Sequence, residues 1–221
     1  MPARRLLNTT DLFAALPDAA LAGLERQAEV RHYARNQVLF RQGDGSDELF
    51  VIERGRIAIA QRSSDGRESV VAVLESGGLF GEFGLFDEAP RSTDARALVD
   101  SAVVVLGYEP VRAVLRAQPE LLWVIVRLLA GRLRATNEAL ADAVFLDVPA
   151  RTAKRLLYLA AGRERFSLPV TQEELAGMVG ASRERVNKAI SLFTRLGWLS
   201  LEGRSQYRIL DRQALEDRAT L

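Results

Sequence analysis

The hydrophobic period of this 221-residue chain turns helical after Pro119, and that change sets a strand-rich stretch, Val38 to Leu106, against a mainly helical part beyond it. From Val38 to Leu106 the apolar runs are short and broken by turn residues. Val38-Leu39-Phe40 gives way to Gly43-Asp44-Gly45, Leu49-Phe50-Val51-Ile52 to Arg54-Gly55, and Ile57-Ala58-Ile59 to Ser64-Asp65-Gly66. Runs from Ser69 to Leu74 and from Ala102 to Leu106 complete the series. Asp65-Gly66 between two such runs predicts a hairpin. Many short strands at this spacing predict a compact antiparallel barrel or sandwich. Ahead of them, Leu12, Phe13, Leu16, Leu21 and Leu24 predict a short helical segment over 11–29, interrupted by Pro17.

Beyond Pro119, Leu122, Val126, Leu129, Leu133, Thr136, Leu140 and Ala143 recur in steps of four and three, an a/d seam held for three heptads. One use of such a stripe is to lay the helix on its own barrel. The other is a parallel dimer seam, which is favoured because a barrel needs only part of the stripe. Leu146-Asp147-Val148-Pro149 ends the helix: Asp147 can cap the next one and Pro149 suits its first turn. A domain boundary is expected there. Residues 150–161 predict another helix, Leu199 to Ile209 a small hairpin around Gly203, and 211–218 a short polar helix.

Composition removes several chemistries. There is no cysteine, so disulfides, iron–sulfur clusters and thiolate zinc sites are not expected. The single histidine, His32, lies between Arg31 and Tyr33 and reads as a surface residue, so no metal site is expected. No nucleophile–base pairing is evident, and an enzyme is not expected. No stretch approaches the roughly 18 consecutive apolar residues of a membrane span. The N-terminus, Met1 to Leu7, reads as mature and cytosolic, while the 48% hydrophobic content is enough to bury a core. A net charge of +1 requires any nucleic-acid binding to come from a local patch. Between residues 183 and 208, Arg183, Arg185, Lys188, Arg195, Arg204 and Arg208 face only Glu184 and Glu202.

That patch coincides with a helix-turn-helix pattern over 171–195. Thr171-Gln172-Glu173-Glu174 is a capping box, Gly180-Ala181-Ser182 a turn, and Ser182 the cap of a second helix. Ala176 is small where the helices would cross, and Val186, Ala189, Ile190 and Phe193 form the buried stripe. Arg183, Glu184, Arg185, Asn187 and Lys188 are then the exposed leading edge, as in a recognition helix entering the major groove. Arg and Lys suit guanine O6 and N7, and Glu accepts from cytosine N4. Thr171, Gln172 and Ser182 lie where helix N-termini meet phosphates. A structural helical hairpin with a charged, solvated face is the plainer account, and it leaves the basic leading edge unexplained.

A second segment, Gly81 to Thr93, offers glycines and amides for close approach by an anion. Arg91 supplies a fork for phosphate, and Ser92 a hydroxyl and an amide. Glu82 is ill placed beside a bare phosphate but well placed for a sugar hydroxyl, so the ligand indicated is a phosphate joined to a ribose. A structural Glu–Arg pair closing the barrel explains the same residues equally well.

The chain resembles the bacterial cyclic-AMP receptor protein (CRP/FNR) family, in the style of its actinobacterial members. The resemblance rests on Gly81-Glu82-Phe83-Gly84-Leu85, Pro90-Arg91-Ser92, Arg132 to Asn137, Phe145 to Pro149 and Val179 to Lys188. It implies an α+β chain in three parts. Residues 1–117 would be a jelly-roll-like cyclic-nucleotide-binding β-barrel, 118–146 a dimerisation helix, and 147–221 a winged helix-turn-helix. The resemblance further implies that Glu82 accepts from the ribose 2′-hydroxyl and that Arg91 and Ser92 hold the cyclic phosphate, beside Gly81 and Phe83. Thr136 and Asn137 would contact adenine, one of them across the dimer seam, and Arg132 would order Glu82. Asp147 would be the hinge, and Arg183, Glu184 and Lys188 the base readers. The expected effector is cyclic AMP, without metal, haem or iron–sulfur cluster. The expected partners are double-stranded DNA at palindromic sites, a second copy of the chain and RNA polymerase, in the cytoplasm and away from membranes. Two departures stand out: Lys188 is a point charge at a reading position where a bidentate fork is possible, and Arg185 stands where many relatives have a smaller residue. The alternatives are a regulator of the same fold that needs no effector or uses another nucleotide, and a nucleotide sensor that binds a protein partner.

Overall fold

A computed structural model describes residues 7, 10–14, 16–62, 68–168, 170–203 and 205–220. Two compact units are distinguishable, one up to Arg132 and one from Leu133, the division falling inside a long helix. Among the described residues no helix is long and apolar enough to cross a membrane.

In the first unit, short helices α1 (Asp11–Ala14) and α2 (Asp18–Glu25) flank Pro17, which sits at the N-cap of α2. The side chain of Leu12 lies outside the described residues. Strands follow: β1 (Glu29–Tyr33), β2 (Val38–Phe40), β3 (Glu48–Arg54), β4 (Ile57–Arg62), β5 (Glu68–Leu74) and β6 (Leu79–Phe80). After the one-turn helix α3 (Phe83–Asp87) come β7 (Asp94–Ala97), β8 (Ser101–Gly107) and α4 (Tyr108–Ala117). The strands form two antiparallel four-stranded sheets, ordered β1-β8-β3-β6 and β2-β7-β4-β5. Arg62 pairs with Glu68, so β4 and β5 form the expected hairpin arms, while Asp65-Gly66 lie outside the described residues.

Strand alternation divides the core in two. Phe50 and Ile52 of β3 and Val103 and Val105 of β8 join Phe40, Ile57, Ala95 and Ala97 between the sheets. Leu49, Val51, Val104 and Leu106 point the other way, under Phe13, Leu21, Leu24 and Val111 of the helices. Buried on both faces, β8 has no polar residue from Ala102 to Leu106.

Helix α5 (Leu122–Phe145) follows a 3-10 turn at Pro119–Leu121. Its early part gives Ile125, Leu128 and Leu129 to the first unit's core. Most of the heptad stripe is therefore not spent on that core: Leu122, Val126, Leu133 and Leu140 are exposed, Leu133 by 61% and Leu140 by 65%.

In the second unit, α6 (Val148–Ala160) begins two residues earlier than the sequence pattern indicates, with Asp147 as its cap, accepting from the Ala150 amide at 2.8 Å. It packs on α7 (Gln172–Val179), α8 (Arg183–Arg195) and α9 (Arg212–Arg218). Strands β9 (Arg165–Ser167), β10 (Leu199–Leu201) and β11 (Gln206–Ile209) form a small sheet ordered β10-β11-β9, the wing. Arg204 lies outside the described residues. Leu156, Leu175, Val186, Phe193, Tyr207 and Leu215 fill the core. Arg151 of α6 ties two helix ends together. It donates to the Leu146 carbonyl at 2.7 Å, beyond the end of α5, and to the Val179 carbonyl at 2.9 Å, at the end of α7. Arg218 pairs with Asp147 at 2.5 Å, and Lys154 with Glu138 and Asp142 of α5.

Candidate functional site

The nucleotide segment folds where β6 runs into α3. Gly81 has φ +74°, a conformation costly to any residue with a Cβ. Glu82 precedes α3 and is buried. One carboxylate oxygen pairs with Arg132 of α5, whose other nitrogen donates to the Leu79 carbonyl at 2.7 Å. The other, Oε2, is buried without a hydrogen-bond partner among the described residues. Burial pushes the carboxyl up from the usual carboxylate range, with Arg132 and then Arg91 pulling against it. The guanidinium of Arg132 lies 5.8 Å from the centre of the exposed Phe83 ring.

Arg91 is buried and its donors point inward, a departure from the open phosphate fork expected of it. Nη1 donates to the Gly81 carbonyl at 2.7 Å and to the Tyr108 phenol at 3.1 Å, and Nη2 to the Glu48 carbonyl at 2.8 Å. The cation lies 4.4 Å from the centre of the Phe40 ring. Of its nitrogens, Nε alone is buried without an acceptor among the described residues. The alternative of a structural Glu82–Arg91 ion pair is also not what forms, since the partner of Glu82 is Arg132. Ser92 is exposed. Thr136 and Asn137 are exposed on α5 in the second unit.

These residues fit a cyclic nucleotide. The buried acceptor of Glu82 lacks a hydroxyl donor, and the buried Nε of Arg91 lacks an anionic acceptor. A ribose phosphate carries both. Tyr108, Phe40 and Glu48 were not singled out from the sequence. Tyr108 alone left a signal, a phenol two residues after the apolar run Ala102 to Leu106, which needs a polar partner when buried.

The second unit builds the other candidate site. The Thr171 hydroxyl accepts from the Glu174 amide at 3.2 Å, and Glu174 accepts from the Thr171 amide at 2.7 Å, closing the capping box. Gly180 turns the chain at φ +68°, and Ser182 caps α8 by accepting from the Arg185 amide at 3.4 Å. Val186, Ala189, Ile190 and Phe193 are buried as the spacing requires. Arg183, Glu184, Arg185 and Lys188 are exposed, and Asn187 is half-buried. Glu184 and Lys188 pair with each other at 2.7 Å, and the lysine holds the Glu184 carboxyl below its usual range. Gln172, expected near a phosphate, instead donates its side-chain amide to the Tyr207 phenol at 2.7 Å. Its backbone amide still lies in the first turn of α7.

Comparison with known proteins agrees with both halves. The family model "Cyclic nucleotide-binding domain" matches residues 30–118, and "Crp-like helix-turn-helix domain" matches 150–218. A CRP-like cAMP-activated global transcriptional regulator of Mycobacterium tuberculosis is 37% identical, over 97% of this chain and 98% of that one. The structure of FixK2 from Bradyrhizobium japonicum superposes with a TM-score of 0.78 over 86% of this chain and 96% of its own; at 20% identity it bears on the fold alone. The c-di-GMP-responsive global regulator CLP of Xanthomonas campestris is 25% identical, with a TM-score of 0.75 over 87% of this chain and 99% of its own.

Proposed function

Because the chain belongs to the CRP/FNR family of DNA-binding transcriptional regulators, we propose that it acts as a homodimer on palindromic DNA in the cytoplasm, with cyclic AMP as its effector. The observation that carries the effector is the pair of buried groups without partners, Oε2 of Glu82 and Nε of Arg91. The ribose hydroxyl answers the first and the cyclic phosphate the second, with Gly81, Phe83 and Ser92 around them. Thr136 and Asn137 contact the base. The name of the mycobacterial relative supports the choice of nucleotide.

The functional parts are those given above: barrel 1–117, dimer helix 118–146, DNA-binding domain 147–221. Arg183, Glu184 and Lys188 read bases, with Arg185 and Asn187 beside them. Thr171, Gln172 and Ser182 meet phosphates through the ends of α7 and α8. Asp147 is the hinge, and RNA polymerase is the further partner. Two-fold symmetry sets half-sites about one helical turn apart. Titration calorimetry with cyclic AMP, paired with gel shifts on a selected palindrome, tests this. No heat and no ligand-dependent change in DNA affinity would sink the effector assignment.

A second reading draws on the carbonyls that already occupy Arg91. A pocket satisfied from within suits a regulator that needs no effector, and the neighbour responsive to c-di-GMP supports a different nucleotide. Full DNA affinity without ligand, or calorimetric binding of c-di-GMP in place of cyclic AMP, would favour it.

A further inference from the structure

Tyr108 opens α4 directly after β8, and its side chain is buried. Its phenol donates to the Gly81 carbonyl at 2.5 Å and accepts from Nη1 of Arg91 at 3.1 Å. The same nitrogen donates to the Gly81 carbonyl, so carbonyl, phenol and guanidinium close a triangle. Little in it can shift. A Cβ on Gly81 would stand 2.8 Å from Nη1 and 3.0 Å from the Phe50 ring. Nη2 is fixed on the Glu48 carbonyl, and the Phe40 ring lies against the cation. A guanidinium is planar, so anchoring its two terminal nitrogens fixes the direction of the Nε–H.

We propose that Tyr108 is a positioning residue of the nucleotide pocket, which aims the unpartnered Nε edge of Arg91 at the phosphate of the bound cyclic nucleotide. This inference rests on the pocket reading above. The phenol acts through Arg91. Burial pushes its pKa up, so it stays a neutral donor wherever the protein is folded near neutral pH. The ribose half of the pocket is held chiefly by Arg132 on Glu82, with Arg91 the weaker charge on that carboxyl. Losing the phenol therefore costs phosphate recognition and spares sugar recognition.

Tyr108→Phe keeps the ring that fills the core and removes one donor and one acceptor. Calorimetry of wild type and variant with cyclic AMP and with adenosine, which lacks the phosphate, separates the two roles. The expected result is about tenfold weaker cyclic AMP binding, the size of one hydrogen bond to a charged group, with adenosine affinity unchanged. Unchanged cyclic AMP affinity overturns the proposal. An equal loss for both ligands does so too, because that is what a merely structural tyrosine produces. If adenosine binds neither protein measurably, the Arg91→Lys background decides: there the cost of losing the phenol disappears, and a persistent cost overturns the proposal. If wild type binds no cyclic AMP, the pocket reading fails first and takes this inference with it.

Discussion

Glu82 holds a carboxyl whose pKa burial raises and Arg132 only partly restores. The folded protein thus binds this proton more tightly than the unfolded chain does. Stability from the group is full below the unfolded carboxyl pKa and is lost as pH rises through the raised value. Glu82→Gln should flatten that part of the stability profile and raise the denaturant midpoint at neutral pH. A hydroxyl donated to Oε2 favours the charged form, so nucleotide binding should release a proton, and affinity should rise with pH through the same window. Calorimetry in buffers of different ionisation heat measures that proton directly. On α8, Lys188→Ala should cost about 1–3 kcal/mol at one base position and relax preference there. Arg185→Ala should weaken all sequences alike and lower the salt slope by about one if Arg185 holds a phosphate. Anisotropy titrations on half-sites substituted base by base distinguish the two. That Glu82 stands out was legible in the sequence, as an acid set between Gly81 and Gly84. The inward turn of Arg91 was not, because its acceptors on Glu48, Gly81 and Tyr108 meet only once distant strands have paired.

Local elements were the most legible part. The Thr171–Glu174 box, the Gly180 turn and the Asp147 and Ser182 caps all form where three or four adjacent residues dictate them. Ser182→Ala should destabilise the second unit by about 1 kcal/mol, read from thermal melts, and loosen DNA binding through the frayed start of α8. Arg151 went unnoticed because an arginine on a helix usually reads as part of a solvated face. The structure instead aims it at carbonyls left over where α5 and α7 end, the negative poles of both helices. Its neighbour Arg155, one turn along, donates to the Met178 carbonyl on the same end of α7. Arg151→Met keeps the aliphatic stem and strips the donors. It should cost about 1–3 kcal/mol and raise hydrogen exchange at the end of α7 and in the turn after Val179, while exchange in the first unit stays unchanged.

Across the whole molecule, the switch of hydrophobic period at Pro119 set the strands of the first unit apart from α5, but it missed α4 (Tyr108–Ala117), which already precedes it, and strand order was beyond it. That Glu29 pairs with Val105, or β3 with β8, depends on closing loops of tens of residues. The heptad stripe was legible, and its exposure in a single copy fits the dimer seam. Leu133→Glu together with Leu140→Glu should convert the protein to monomers in sedimentation velocity and remove most of its affinity for palindromes, while each unit keeps its fold by circular dichroism. The same stripe bears on how the protein is made. Val144, 66% exposed and one turn on from Leu140, extends the apolar row into the last turn of α5. A lone chain leaving the ribosome carries that row into a crowded cell with no cover. For the proposed dimer, a sister chain from the same messenger is the nearest complementary surface. Subunits should therefore pair within a polysome, and two tagged alleles expressed side by side should yield fewer mixed dimers than random assortment predicts.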